Sequence, residues 1–313
     1  MEKTPIFKVE NFKISFSQYT KGVNRKELEV ITNLDIELFK GEILAVVGSS
    51  GSGKSLLAHA MLGILPANAT TGGRMFFNGK EICQHEKEKL RGNKISLIPQ
   101  SVNYLDPLEK VGKQIGISLS GRDKREREKI VKTMLCKYGL DESVYNCYPH
   151  QLSGGMARKI LLCTALATDS EVIIADEPTP GLDEASLKEV LNDFRAVADS
   201  GKAVLLITHD INAACAIADK IAIFYAGSTL EVANVEDMSD SGNKLRHPYT
   251  KALLRAMPCN EFIPIDGTQP LPGELPEGCL FCDRCTERSN ECIKSRPEIR
   301  FVREGKVRCW NAS

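Results

Sequence analysis

Neither sign of charge is in excess: 41 Lys and Arg stand against 41 Asp and Glu. A protein that grips nucleic-acid backbones needs a basic face, so no nucleic-acid partner is expected. Long apolar runs are missing as well. The longest, such as ILAVV (43–47) and AVLLI (203–207), have the length of strands, whereas a membrane-crossing helix needs about 20 apolar residues. The opening stretch MEKTPIFKVENFK lacks the apolar segment of a secretory signal. The expected location is therefore the cytoplasm, free or docked on a membrane partner. The 313 residues suffice for one large α/β domain with an appendage, and are too few for two such domains.

Cysteine is plentiful, with eleven in the chain. Cys83, Cys136, Cys147, Cys163, Cys215 and Cys259 are scattered singly and read as buried or idle thiols. Cys279, Cys282, Cys285, Cys292 and Cys309 crowd into the last 35 residues.

The apolar pattern sets the organisation. Residues 6–16 alternate as an edge strand would, and VITNLDIEL (30–38) alternates again. ILAVVG (43–48), ISLIPQ (95–100), EVIIADEP (171–178) and KAVLLITHD (202–210) each hold a buried-type strand. Residues 107–168 predict helices without a clear strand, and 221–232 a hairpin about Ala226-Gly227. The mixed charges of 121–132 predict a solvated helix face. From about residue 258 the composition turns to Pro, Gly and Cys, which marks a boundary.

Gly48-Ser49-Ser50-Gly51-Ser52-Gly53-Lys54-Ser55 fits G-x-x-x-x-G-K-[ST] between a strand and a helix. Glycines let such a loop wrap closely, so that backbone N–H groups meet phosphates, and the following helix adds its positive end. Lys54 would reach the β- and γ-phosphates, and the Ser55 hydroxyl would ligate Mg²⁺. Asp176, emerging from the strand VIIAD (172–176), would hold Mg²⁺ directly or through water. Glu177 follows where a general base for an attacking water is needed. An acidic pair after a strand is alone more often a helix cap; beside a phosphate loop the metal reading prevails.

Leu152-Ser153-Gly154-Gly155 narrows the class. A hydroxyl and two small residues at the start of an apolar helix make a second anion site, about 20 residues before the Asp176 strand. Here the chain resembles the ABC ATPase family, whose signature loop is LSGG. The resemblance implies that Ser153, Gly154 and Gly155 cap the γ-phosphate held by another subunit's Gly48–Ser55 loop. It implies that Gln100 reaches Mg²⁺ and couples to a channel, and that Asp183, in Gly181-Leu182-Asp183, crosses the dimer interface. It also implies that His209 contacts the γ-phosphate, and that Phe16, with Tyr19 as runner-up, stacks on adenine. Met156-Ala157-Arg158-Lys159 and Pro180 depart from the common family pattern without removing a catalytic group.

RHPYTKALLRAMP (246–258), Leu271-Pro272-Gly273 and the spacing C-x₅-C-x₆-C-x₁₆-C of Cys279, Cys285, Cys292 and Cys309 resemble the importer branch that serves dipeptides, oligopeptides and nickel or metal chelates. Four thiolates in a small module suit a [4Fe–4S] cluster, which the resemblance favours, or structural Zn²⁺. Cys282 is an extra candidate ligand. The expected fold is α/β: a P-loop core with a helical subdomain at about 101–168 and an N-terminal antiparallel subdomain, spanning 1–257. A Cys-rich module would occupy 258–313. The expected function is ATP hydrolysis driving import, with an exporter or a non-transport ATPase as alternatives. The resemblance implies a second ATPase subunit (a sibling forming a heterodimer), two permease subunits and an extracytoplasmic binding protein. The chain would lie peripherally at the cytoplasmic face of the cell membrane.

Overall fold

The computed structural model describes residues 3–19, 25–49, 51–119, 121–239 and 242–312. The strands are β1 (Phe7–Tyr19), β2 (Arg25–Leu38), β3 (Ile43–Val47), β4 (Ala69–Phe77), β5 (Lys80–Glu81), β6 (Ile95–Ile98), β7 (Val172–Asp176), β8 (Ala203–Thr208), β9 (Lys220–Tyr225), β10 (Ser228–Asn234), β11 (Arg300–Val302) and β12 (Gly305–Val307). The helices are α1 (Lys54–Leu62), α2 (Gln84–Leu90), α3 (Val111–Ile117), α4 (Lys124–Lys137), α5 (Gly154–Leu166), α6 (Glu184–Asp199), α7 (Ile211–Ile217), α8 (Pro248–Arg255) and α9 (Asn290–Lys294).

The sheet runs β5-β4-β1-β2-β10-β9-β3-β8-β7-β6. Its half from β9 to β6 is parallel, while β5, β4, β1 and β2 pair antiparallel. The parallel strands are covered on both faces, which is why they read as unbroken apolar runs. Alternate residues serve two cores. Ala45, Ile173, Val204 and Ile221 face the one that includes Ile115, Leu135 and Ile160 of α3, α4 and α5. Leu44, Ile174, Leu205 and Ala222 face the one shared with Leu57, Met61, Phe7 and Ile36.

The first strand corrects one expectation. β1 is not an edge: it pairs with β2 on one side and β4 on the other, and β5 takes the edge. Strand β4 contains Gly72-Gly73 and breaks the alternation that would announce it. A Cβ at Gly73 would stand 2.3 Å from the Asn11 carbonyl, so the glycine is what lets the two strands meet at a register shift.

Side-chain caps start the helices that matter for the site. Ser153 accepts the Met156 N–H at the head of α5, Asp183 accepts the Ser186 N–H before α6, and Asp210 accepts the Ala213 N–H before α7. Pro248 opens α8, where its missing N–H costs nothing. The charge run forms α4, which buries only Val131 and Leu135.

Beyond α8 the chain returns to the core. The β11–β12 hairpin joins the sheet through β12, whose Val307 and Lys306 pair with Glu231 and Val232 of β10.

Candidate functional site

The loop between β3 and α1 lies at the C-terminal ends of the parallel strands, where ligands sit in open α/β sheets. Gly48 belongs there sterically, since a Cβ would come within 2.3 Å of the Phe224 carbonyl. Gly51 and Gly53 take φ of 77° and 94°, a backbone that favours glycine. Ser50 lies outside the described residues.

Lys54 is buried, and its Nζ donates to the Gly48 and Ser49 carbonyls at 2.8 and 3.0 Å. It stands 3.9 Å from Glu177 Oε1. Burial pulls the Lys54 pKa down, while Glu177 and Asp176 pull it up. Ser55 Oγ donates to Asp176 Oδ1 at 3.1 Å. Burial pushes the Asp176 pKa up, opposed by the Ser55 hydrogen bond and seconded by Glu177. A carboxylate so desolvated favours a cation, and the hydroxyl and carboxylate side by side form a hard oxygen pair that fits Mg²⁺.

Glu177 is buried just beyond β7 with φ of 47°, rare for a residue with a side chain. Its N–H is bonded to the Ile207 carbonyl at 2.8 Å, and its Oε2 lies 2.8 Å from His209 Nδ1. The carboxylate is thus held between a buried ammonium and a half-exposed imidazole.

The remaining expected residues lie elsewhere. Gln100 is exposed just past β6 and makes no hydrogen bond to Ser55 or Asp176 among the described residues. Ser153, Gly154 and Gly155 are exposed, and a Cβ on either glycine would meet nothing within 4 Å. Asp183 spends its carboxylate on Ser186, whose N–H and Oγ lie 3.0 and 2.8 Å away, and those bonds hold its pKa down. None of these five makes a hydrogen bond to the Gly48–Ser55 loop among the described residues. Phe16 is half-buried in β1 opposite Leu28 of β2. The Tyr19 side chain lies outside the described residues.

In the tail, the Cys279 N–H donates to the Cys292 carbonyl at 2.8 Å, and Gly278 leaves no room for a Cβ, 2.1 Å from that carbonyl. Burial pushes the Cys279 thiol up to about 12; the backbone N–H of Phe281 opposes this, and Cys292, Cys309 and Cys285 add to it. Cys285 and Cys309 are also raised first by burial, and each receives a backbone N–H from two residues on. The four thiols of the predicted spacing are therefore electrostatic neighbours. Cys282 is raised by burial, Asp283 and Cys292, with no such N–H. Among the described residues, however, no three His, Cys, Asp or Glu side chains stand grouped to hold a metal ion.

Two arginines carry structural roles that motif reading did not reveal. Arg246 Nη1 lies 3.3 Å from Glu231 and 2.8 Å from Asp237, and its Nε donates to the Val302 carbonyl at 2.6 Å. Arg284 donates to Tyr225 Oη and to the Ile265 and Asp266 carbonyls at 3.2, 3.1 and 2.7 Å. Nothing local singles them out in the sequence: Arg246 stands beside His247 and near Lys251, and Arg284 follows Asp283.

A parallel sheet, a glycine loop over a buried lysine, and an Asp-Glu pair beyond the neighbouring strand define a P-loop ATPase of the cassette type. The ABC transporter family model matches residues 31–180, and the model for the oligopeptide/dipeptide transporter C-terminal region matches 230–292. The dipeptide transport ATP-binding protein DppD of Bacillus subtilis is 34% identical over 99% of this chain and 95% of its own. The oligopeptide transport ATP-binding protein OppD of Escherichia coli is 33% identical over 95% and 90%. Among solved structures, the post-hydrolysis dimer of the ATP-binding cassette MJ0796 with ADP and Pi is similar, with a TM-score of 0.64. It is 26% identical and covers 73% of this chain and 98% of its own. The chain belongs to the ATP-binding subunits of ABC transporters, in the dipeptide/oligopeptide branch, and is an ATPase by family.

Proposed function

We propose that this chain hydrolyses ATP to drive a membrane importer of dipeptides or oligopeptides. The carrying observation is a glycine loop that brings Lys54 to Glu177 and Ser55 to Asp176, joined to a tail that matches the oligopeptide/dipeptide C-terminal region over residues 230–292. Backbone amides of Gly48–Ser55 and the Lys54 ammonium hold the phosphates. Ser55, Asp176 and Gln100 would hold Mg²⁺, which would supply neutralisation of the charge on the transferred phosphoryl group. Glu177 orients and deprotonates the attacking water, and His209 contacts the γ-phosphate. Phe16 stacks on the base.

Ser153, Gly154, Gly155 and Asp183 stand apart from the chain's own phosphate loop, which supports a half-site completed by a second ATPase subunit, a sibling in this reading. A groove of about 520 Å³ lined by Ile64, Leu97, Pro99, Tyr104, Leu105 and Ile117 suits the permease subunits. It begins at the strand that leads to Gln100. Among the described residues no helix is long and apolar enough to cross a membrane. The chain then sits peripherally, on the cytoplasmic face, with cargo delivered by a separate binding protein. The sequence spacing of Cys279, Cys285, Cys292 and Cys309 is what supports a [4Fe–4S] cluster in the tail, with Zn²⁺ as the second candidate.

Glu177→Gln, assayed with the partner subunits, should lower ATP turnover by about 10²- to 10⁴-fold. Retained turnover removes Glu177 as the base. Deleting the gene should abolish dipeptide uptake; loss of Ni²⁺ uptake alone would shift the cargo to metal chelates. Anaerobically purified protein should carry iron and sulfide, and stoichiometric zinc without iron would sink the cluster.

A further inference from the structure

Before reaching its cysteines, the tail runs along the ATP site. Ser49 Oγ, in the phosphate loop, donates to Gln269 Oε1 at 2.8 Å, across 220 residues of sequence. Pro270, Pro272 and Leu275 then close on Val30, Gly51, Ser52 and the Ala226-Gly227 turn, leaving a space of only ≈ 10 Å³. Such a gap scarcely holds one water. It is a packed seam. Gly273, at φ of 90°, passes so near β2 that a Cβ would lie 2.9 Å from Leu28 Cδ1. Leu28 is the residue paired with Phe16. The strip 269–275 therefore runs from the phosphate loop to the strand pair that carries the expected base-stacking aromatic.

A glycine loop has much conformational freedom to lose when it closes on phosphates. Holding it beforehand lowers that cost and so tightens binding. The strip is built for holding: its two prolines restrict φ, and the residues before them are kept extended. Ser49 occupies a variable position of the motif, so its hydroxyl is available for a bond to the scaffold.

We propose that Gln269 is a positioning residue for the nucleotide, acting through Ser49 to hold the phosphate loop ready. The inference rests on the reading of Gly48–Ser55 as the ATP site. It makes the seating of the tail part of the affinity for ATP.

The test is equilibrium binding of Mg-ATP to the full-length chain, for the native protein, Gln269→Ala, Ser49→Ala and the double variant. One neutral hydrogen bond predicts that each single change weakens binding about three- to tenfold. The double variant should be no weaker than the worse single one, because both remove the same bond. Melting temperatures should stay close to native, since this hydrogen bond lies at the exposed surface. Native-like affinity in Gln269→Ala overturns the proposal, as do penalties that add in full in the double variant. A native chain that binds no Mg-ATP removes the ATP-site reading and this inference together.

Discussion

At Glu177 its own backbone and two neighbours decide what one carboxylate can do. A positive φ fixes its entry, Lys54 stands 3.9 Å from one oxygen, and His209 lies 2.8 Å from the other. Strain of this kind persists where surrounding contacts over-determine the backbone, here the bond from the Glu177 N–H to Ile207. His247 shows the opposite case, a histidine with no catalytic position. It is buried against Phe281, accepts the Tyr249 N–H at Nδ1, and leaves Nε2 without a hydrogen-bond partner. Burial pushes its pKa down to about 3 from 6.5, against a smaller upward pull from the Arg308 backbone. Between those values the unfolded chain binds a proton that the folded chain refuses. Stability must therefore fall as pH drops through that window, by at most about 4–5 kcal/mol. The urea midpoint measured against pH should show this slope, and His247→Gln should flatten it.

Among the elements, glycines mark where strands meet at close range. Gly227, at φ of 79°, lets the β9–β10 turn sit on β2: a Cβ would lie 2.2 Å from the Val30 carbonyl. Gly79 has nearly the same φ, 77°, with nothing within 4 Å. Gly79→Ala should thus cost only backbone strain, about 1 kcal/mol. Gly227→Ala adds a backbone clash and should cost roughly 3 kcal/mol or more. Denaturant titration of both variants checks the difference, and equal costs would mean that the turn yields easily. The same logic explains the misplaced edge. The alternation in residues 6–16 identified β1 as a strand, but its second partner, β4, hides behind Gly72-Gly73, whose use is visible only once Asn11 is beside it.

On the scale of the whole molecule, the tail is fastened to the ATPase core by buried charge. Arg246 joins Glu231 of β10 and Asp237 to the Val302 carbonyl of the β11–β12 hairpin, and Arg308 pairs with Asp35. Arg246 and Glu231 are almost wholly buried. Removing one partner of such a set strands the others. Arg246→Ala should cost about 3–5 kcal/mol, read as a lower urea midpoint for the full chain; a loss under about 1 kcal/mol would show that water reaches the carboxylates. Among the described residues, Ser153–Gly155 at the head of α5 make no hydrogen bond to the Gly48–Ser55 loop, in keeping with the proposed half-site.

The sequence by itself determined the phosphate loop, the acidic pair, the signature and the cysteine spacing, because each is local: a strand, a glycine turn and a helix dictate where a few consecutive residues lie. The parallel strands were legible for the same reason, since burial on both faces leaves an apolar run. Only the tertiary structure decided that Lys54 and His209 converge on Glu177, that Gln100 stands off, and that Gln269 reaches Ser49. Those meetings join residues 32, 123 and 220 positions apart. They depend on strand order and on which face each side chain leaves, and no short-range pattern encodes either.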